Sequence, residues 1–495
     1  MKQRFYFLVV LSYLFGIAEF PAHSGPVNYD QAKTAAAYKL ISLQKSTGFS
    51  FIDNENLFND PQGNTLFYVF ELSPTGYMAV SADKYLPPVI AYSFTNDAGD
   101  LADDANTLIH ILKADLNMRL KNVQKLPQEI LNGREDEWKA ILKGDAGKKS
   151  FQQWPPEGTT STGGWLETNW TQDGVYDDMC PMDPVTNLRS LAGCPATAMA
   201  QILNYYETTN GTRFTDDDDY YHSYAGRNYQ IDDDYIARDF PSFPELNAHL
   251  DTVNLCYAAN GTLKNPGKAA LTFACGVAAH QVYTSQGSGT FGVSQAVESY
   301  LRFGFSGISF FENTDTTLFN TLSQNMKDAR PAHLAIVDPG WTTGHNVVVD
   351  GYNTDEYYHL NFGWGGAYNG WYLLPDEIPF GLTVIEGLIA DIAYPPSHTG
   401  ISNFQPENRD LVLNIYPNPA YKNLTASFTA EKAKVIKFEI YDLKGTLHIS
   451  TPVKPAESGT YSEIVSIPET KLVKGLYLCK LSTDQKVVTR CFIIQ

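Results

Sequence analysis

The chain opens with an apolar run, Phe5 to Ile17, set behind Lys2 and Arg4 and ending at the small-residue site Ala22-His23-Ser24. That is the layout of an export signal, and the run is shorter than the ~20 residues a membrane span needs. Residues 1–24 are therefore expected to be a removable signal peptide and not a transmembrane anchor. Beyond Tyr29 the periodicity alternates between 3.6 and 2: Asp30 to Gln44 is Ala-rich and amphipathic, Leu66 to Leu72 and Gly76 to Ser81 read as a hairpin, and Asp104 to Lys121 is helical again. Residues 25–150 thus predict a small α+β unit. A Pro/Gly/Thr-rich stretch from Trp154 to Gly164 follows Lys148-Lys149, with the composition of an exposed linker.

Residues 151–395 mix one strong helical pattern, beginning near Cys194, with later strands such as Asn346 to Asp350. After a Pro/Ser/Asn-rich linker at 396–410, residues 411–495 carry short strands at regular spacing: Leu411 to Tyr416, Lys437 to Tyr441, Ser462 to Ile467, Gly475 to Leu481 and Lys486 to Ile494. Turn signals at Asp442 to Gly445 and Ser482 to Gln485 complete the signature of a small β-sandwich. The expected fold class is α+β throughout the first two units, with an all-β tail.

Composition narrows the function. At about 150 residues per domain, 495 residues make roughly three domains. Thirty-six basic residues against 55 acidic ones give a net charge of −19, with no Lys/Arg block, which opposes nucleic-acid binding. Six cysteines in so long a chain are too few for a disulfide framework. At least one is available for chemistry.

Cys194 lies in Leu191-Ala-Gly-Cys-Pro-Ala-Thr-Ala-Met-Ala-Gln-Ile-Leu-Asn-Tyr205, where a glycine turn runs into a proline at the first helical turn. A cysteine at a helix N-terminus gains thiolate stability from the dipole and has free N–H groups beside it, as a nucleophile requires. Taken alone, it fits equally well as a small apolar residue at the start of a core helix. A base is needed. Among ten histidines, His345 follows Gly344 and opens the strand Asn346-Val-Val-Val-Asp350, which leaves its ring at the rim of a cleft; His280, His333 and His359 sit in apolar stretches and read as structural. Asn361, at the end of a strand before a Gly-rich loop, is placed to accept the imidazole N–H and orient the ring. His345 and Asn361 follow Cys194 by 151 and 167 residues, close to papain-type spacing.

Three segments, Gly193-Cys-Pro-Ala-Thr-Ala-Met-Ala-Gln-Ile202, Gly344-His-Asn-Val-Val-Val-Asp-Gly-Tyr352 and His359-Leu-Asn-Phe-Gly-Trp-Gly-Gly366, closely resemble the streptopain family of papain-like cysteine peptidases. The resemblance extends to Asn169-Trp-Thr-Gln-Asp-Gly-Val-Tyr176. It implies a papain-like catalytic domain, with Gln172 as an oxyanion-hole residue beside the Cys194 backbone N–H. Where the family has Trp after the orienting Asn, this chain has Phe362, so shielding of the His345–Asn361 pair is either weaker or rests on Trp364. The stretch Gly76 to Ser93 is similar to the family's inhibitory prodomain, which implies a zymogen whose own N-terminal segment is its first partner. Asn414-Ile-Tyr-Pro-Asn-Pro419, Ile440 to Gly445 and Lys474 to Leu478 are similar to type IX secretion sorting domains. That implies the type IX machinery as a partner and a Gram-negative cell surface or exterior as the destination.

The expectation is a secreted cysteine endopeptidase acting on protein substrates through Cys194, His345, Asn361 and Gln172, without cofactor or metal. The acidic runs Asp216 to Asp219 and Asp232 to Asp234 read as solvated loops. Two rivals stand beside it: a surface adhesin or inactive protease scaffold, and a papain-like amidase or transglutaminase. One detail concerns the tail, where a hairpin centred on residue 485 would face Cys479 with Cys491, while a one-residue slip would send them to opposite faces.

Overall fold

The computed structural model describes residues 25–393, apart from 105, 145–150, 306, 313, 338–343 and 375–383, and beyond them Leu472 and seven strands between 411 and 494. The signal expected at 1–24 and the linker expected at 396–410 lie outside the described residues, as do Lys148-Lys149 and residues 443–445 and 484–485 of the expected turns.

The N-terminal helices start where local chemistry lets them. Helix α1 (Tyr29–Ser42) is opened by Asn28, whose side chain accepts from the Gln31 N–H at 3.0 Å while the Gln31 side chain accepts from the Asn28 N–H at 3.2 Å. Its Ala32, Ala35, Ala36 and Leu40 form one buried stripe. Helix α2 (Thr107–Asn122) is capped by Asn106, and α3 (Gln128–Lys143) ends at Gly144 in the left-handed region, φ 73°.

A 12-stranded sheet dominates the described chain. Eight of its strands matter here: β1 (Thr65–Ser73), β2 (Tyr77–Ser81), β3 (Val89–Ser93), β4 (Ala332–Val337), β5 (Gly344–Asn353), β6 (Tyr357–Asn361), β7 (Gly370–Leu373) and β8 (Val384–Ala390). They lie in the order β1-β2-β3-β7-β6-β5-β4-β8, all antiparallel. One face of β4 and β5 packs on α4 (Cys194–Tyr205), α5 (Phe243–Ala258), α6 (Asn265–Ala278) and α7 (Val293–Arg302), which share a core with Ala335 and Val348. The opposite face is covered by α2 and α8 (Leu318–Lys327) around Ile336, Val347, Val349 and Leu360. With both faces buried, these strands are apolar almost continuously and lose the alternation that would have announced them.

The expected boundary near residue 150 is not a gap in the packing. Strand β3 pairs with β7, Ala91 opposite Tyr372 and Tyr92 opposite Trp371, so the sheet runs from the N-terminal segment straight into the later strands. Side chains reinforce the seam. The Arg119 guanidinium on α2 holds Asp115 at 2.9 Å and donates to the Leu373 carbonyl at 2.7 Å, with both charged groups buried. Lys39 reaches Asp355 at 2.8 Å over the Tyr357 ring, Asn353 donates to the Tyr92 hydroxyl at 3.0 Å, and the Tyr77 and Tyr372 hydroxyls meet at 2.6 Å.

The tail forms two antiparallel sheets of three and four strands. All five expected strands occur, with Asn423–Ala430 and Leu447–Val453 in addition. The slipped register prevails in the last hairpin: Cys491 pairs with Leu478 and Cys479 with Arg490, and Cys479 is a free, buried thiol.

Because Asp115 cannot be resolvated where it sits, Arg119→Ala should cost the folded chain about 3–5 kcal/mol. The urea midpoint of a Cys194→Ala background measures it, and a change under about 1 kcal/mol would contradict the assignment of this pair to the seam.

Candidate active site

Cys194 is the first residue of α4, as the Gly-Cys-Pro pattern predicts. The turn before it demands glycine: Gly193 has φ 85°, and a Cβ there would stand 2.7 Å from Gln281 Oε1 and 2.9 Å from the Ser288 carbonyl. The turn is gripped from two sides. The Ala192 N–H donates to the Gln172 carbonyl and the Ala192 carbonyl accepts from Gln281 Nε2, each at 2.7 Å. Gln172 is thus fixed through its backbone to Ala192, two residues ahead of the thiol. Burial pushes the Cys194 thiol up from its ordinary value, while hydrogen bonds from Asn346 and from its own backbone N–H pull against that rise.

The strand facing α4 does not present the expected base. Side chains alternate along β5: Val348 points into the α4 core, while Val347 and Val349 point into the α2/α8 core. His345 shares the odd face. It pairs with Ile336, stacks on Trp364 at 4.2 Å and on Phe362 at 6.0 Å, and its Nε2 lies 2.9 Å from the Phe362 carbonyl. A carbonyl only accepts, so Nε2 carries the hydrogen. The residue on the α4 face is Asn346, whose Nδ2 is 3.8 Å from Cys194 Sγ. Burial pushes the His345 imidazole down to about 4, aided by nearby His333 and opposed by the bond to Phe362.

Asn361 is on the α4 face, opposite Val348, and does not touch His345 among the described residues. Its Oδ1 accepts from Gln201 Nε2 at 3.2 Å and from the Gly363 N–H at 3.0 Å, and its Nδ2 donates to the Thr168 carbonyl at 2.8 Å. The expected His345–Asn361 hydrogen bond is therefore absent here, because the two residues occupy opposite faces. Trp364 stacks on His345 itself, with no His345–Asn361 bond beneath it among the described contacts. His359 is buried against Asp350 at 2.6 Å, and His280 stacks on Tyr220. Cys194, Gln172 and Asn361 are brought together around α4; His345 stands across the sheet.

With this geometry in view, relatives can be compared. Residues 170–372 match the model of the Peptidase C10 family, residues 24–120 that of the Spi protease inhibitor, and residues 414–495 that of the secretion system C-terminal sorting domain. This central segment is thus similar to the Peptidase C10 family. The chain is 24% identical over 387 residues to the thiol protease/hemagglutinin PrtT of Porphyromonas gingivalis, covering 75% of this chain and 41% of that protein. It is 24% identical over 356 residues to streptopain of Streptococcus pyogenes, covering 67% and 79%. A solved fragment of Prevotella intermedia prointerpain A covers 70% of this chain and all of that chain, at 20% identity and a TM-score of 0.47. The chain spans less than half the length of PrtT. The family is one of cysteine peptidases, and the tail marks a type IX secreted or cell-surface protein.

Sequence reasoning missed several residues of the C10 segment. Gln201 on α4 ties Asn361 to the Trp170 N–H and the Thr168 hydroxyl. Asp183, fully buried, accepts from Arg227 Nε at 2.9 Å and Nη2 at 2.8 Å, from the Val185 N–H at 2.8 Å, and from the Ser285 N–H and hydroxyl at 3.0 Å. These donors hold its carboxyl well below the usual carboxylate range. They also pin the loop 284–288, whose Ser288 carbonyl backs Gly193. A lone aspartate in a turn carries no signal that an arginine 44 residues later will find it. The acidic runs serve locally, Asp218 pairing with Arg302 and Asp232 accepting from the Phe243 N–H. Among the described residues no cluster of three or more His, Cys, Asp or Glu is arranged to hold a metal ion, and no helix is long and apolar enough to cross a membrane.

Burial likewise pushes His333 down to about 4, opposed by its bond to Asn346. Against an unfolded value of about 6.5, both histidines bind protons more readily in the unfolded chain. Precursor stability should then fall as pH drops from about 6.5 to about 4. Thermal melts of the Cys194→Ala precursor across that window measure the slope, and His345→Gln should flatten it. An unchanged slope would show that His345 is not held neutral by the fold.

Proposed function

We propose that the chain is the latent precursor of a secreted cysteine endopeptidase that hydrolyses peptide bonds of proteins. The observation that supports this reading is Cys194 at the N-terminus of α4, inside the C10 segment, with the Gln172 carbonyl bound to Ala192 just before it and Asn361 bonded to Gln201 of the same helix. In the active form His345 turns to the α4 face and takes the thiol proton. The thiolate attacks the substrate carbonyl carbon, and the oxyanion is met by the Cys194 backbone N–H and the Gln172 side chain. The tetrahedral adduct collapses to a thioester as His345 returns its proton to the leaving amine. Water, deprotonated by His345, then releases the acid and restores the thiol. Asn361, already on the α4 face, receives the imidazole N–H once the ring arrives.

Latency fits the same picture. The inhibitor-like segment 24–120 lays β3 against β7 and α2 against the core that holds Phe362, so its removal would leave β7 at an edge and open that core. The export signal is removed on secretion, the sorting tail engages the type IX machinery of a Gram-negative cell, and the natural substrates are proteins outside it.

Treatment of processed protein with an epoxide inhibitor of papain-like enzymes, followed by peptide mapping, tests the reading: Cys194 should carry the label, with loss of casein hydrolysis. Active protein labelled elsewhere, or correctly processed protein without activity, would overturn it. Cys194→Ala and His345→Ala should each abolish turnover, and Asn361→Ala should be milder. Gln172→Ala should lower kcat about a hundredfold with little change in KM, the usual effect of losing one oxyanion donor. A pure KM effect would move Gln172 to the substrate cleft.

A further inference from the structure

Asn346 ends a chain of hydrogen bonds that runs through His333 to Tyr300. Its Oδ1 lies 2.7 Å from His333 Nε2, and an amide oxygen only accepts, so that nitrogen carries the hydrogen. His333 Nδ1 is then an acceptor and receives a hydrogen bond from the Tyr300 hydroxyl at 3.2 Å. The Asn346 amide nitrogen, left with its donors, faces Cys194 Sγ. Tyr300 and His333 are 0% exposed. His333 belongs to β4, held between β5 and β8, and reaches Asn346 diagonally because Asn346 pairs with Ala335.

We infer that Asn346, held by His333 and Tyr300, is a positioning residue that keeps β5 in the register where the base cannot reach the nucleophile. The inference rests on the cysteine-peptidase reading above. His345 and Asn346 are neighbours in one strand, so they exchange faces together: bringing His345 to Cys194 takes Asn346 away from it and breaks the bond to His333. That bond exists in only one of the two registers and therefore biases the equilibrium between them. The slip is confined to the start of β5. From Asp350 onward the strand is fastened, its backbone carbonyl accepting from the Trp165 N–H at 2.7 Å and its carboxylate from the Leu166 N–H at 3.0 Å and His359 at 2.6 Å.

Full-length precursor is treated with iodoacetamide at pH 6 and the rate of Cys194 modification is read by peptide mapping of the unprocessed band. A thiol paired with an imidazolium reacts at that pH, whereas an unpaired, buried one does not. Asn346→Ala should react about tenfold faster than wild type, the effect of losing one buried hydrogen bond, and Asn346→Ala/His345→Ala should return to the wild-type rate. Tyr300→Phe, which deletes a single hydroxyl, should accelerate in the same direction by less. Unchanged rates in both single variants would overturn the inference, and so would acceleration that survives loss of His345, since that reports mere loosening. Wild-type protein freed of residues 25–150 is the separate control. If it neither reacts at Cys194 at pH 6 nor hydrolyses casein, the enzyme reading itself falls; if it does both while the variants behave as wild type, only the latch falls.

Discussion

Strand β5 carries His345 and Asn346 side by side, and neighbours in a pleated strand cannot share a face. Whichever of the two meets Cys194, the other is committed to the α2/α8 side. That constraint organises the site. With Asn346 inward, the thiol has an amide donor and no base, His345 is stacked under Trp364, and Asn361 turns to Gln201 and the Gly363 N–H instead. The contacts of His345 and Asn346 are individually modest, but both belong to the same register at the start of β5, and a slip there breaks them together.

The N-terminal segment acts on the far side of the same sheet. Its β3 extends the sheet at β7, and its α2 completes the core in which Val347, Val349, Leu360 and Phe362 are buried. Those are the odd-face neighbours of His345. Removing α2 exposes that core to water and takes away the packing that makes the outward position of His345 favourable. The inhibitor segment thereby bears on the register through the face it covers, without any of its residues touching Cys194 among the described contacts.

The helix bearing Cys194 was legible because its start is set by local chemistry, a glycine able to take φ 85° and a proline in the first turn. The capped helices α1 and α2, the hairpin of β1 and β2 and most tail strands were legible for the same reason. What escaped depends on pairing. The faces of His345 and Asn361 follow from which residue opposes which, as does the separation of Cys479 from Cys491, and a one-residue change of register leaves the local pattern of hydrophobic residues nearly intact. The β3–β7 seam escaped too, since 279 residues separate Tyr92 from its partner Trp371 and no local signal spans that distance.

Buried charge in this molecule is spent on holding backbone. Asp183 with Arg227 fixes loop 284–288 behind the Cys194 turn, Asp115 with Arg119 reaches a carbonyl of β7, and Asp350 with His359 captures the N–H of Leu166 where the linker enters the C10 segment. Replacing such groups by apolar ones of equal volume is often neutral for stability, so stability alone does not account for them. What an apolar pair cannot do is accept or donate to a peptide group at a defined place. Each of the three holds a connecting segment in place, one against the turn before α4 and two against the sheet. There hydrophobic packing alone would leave the backbone free to slide by a residue, and a slide of one residue is the difference between Asn346 and His345 at the thiol.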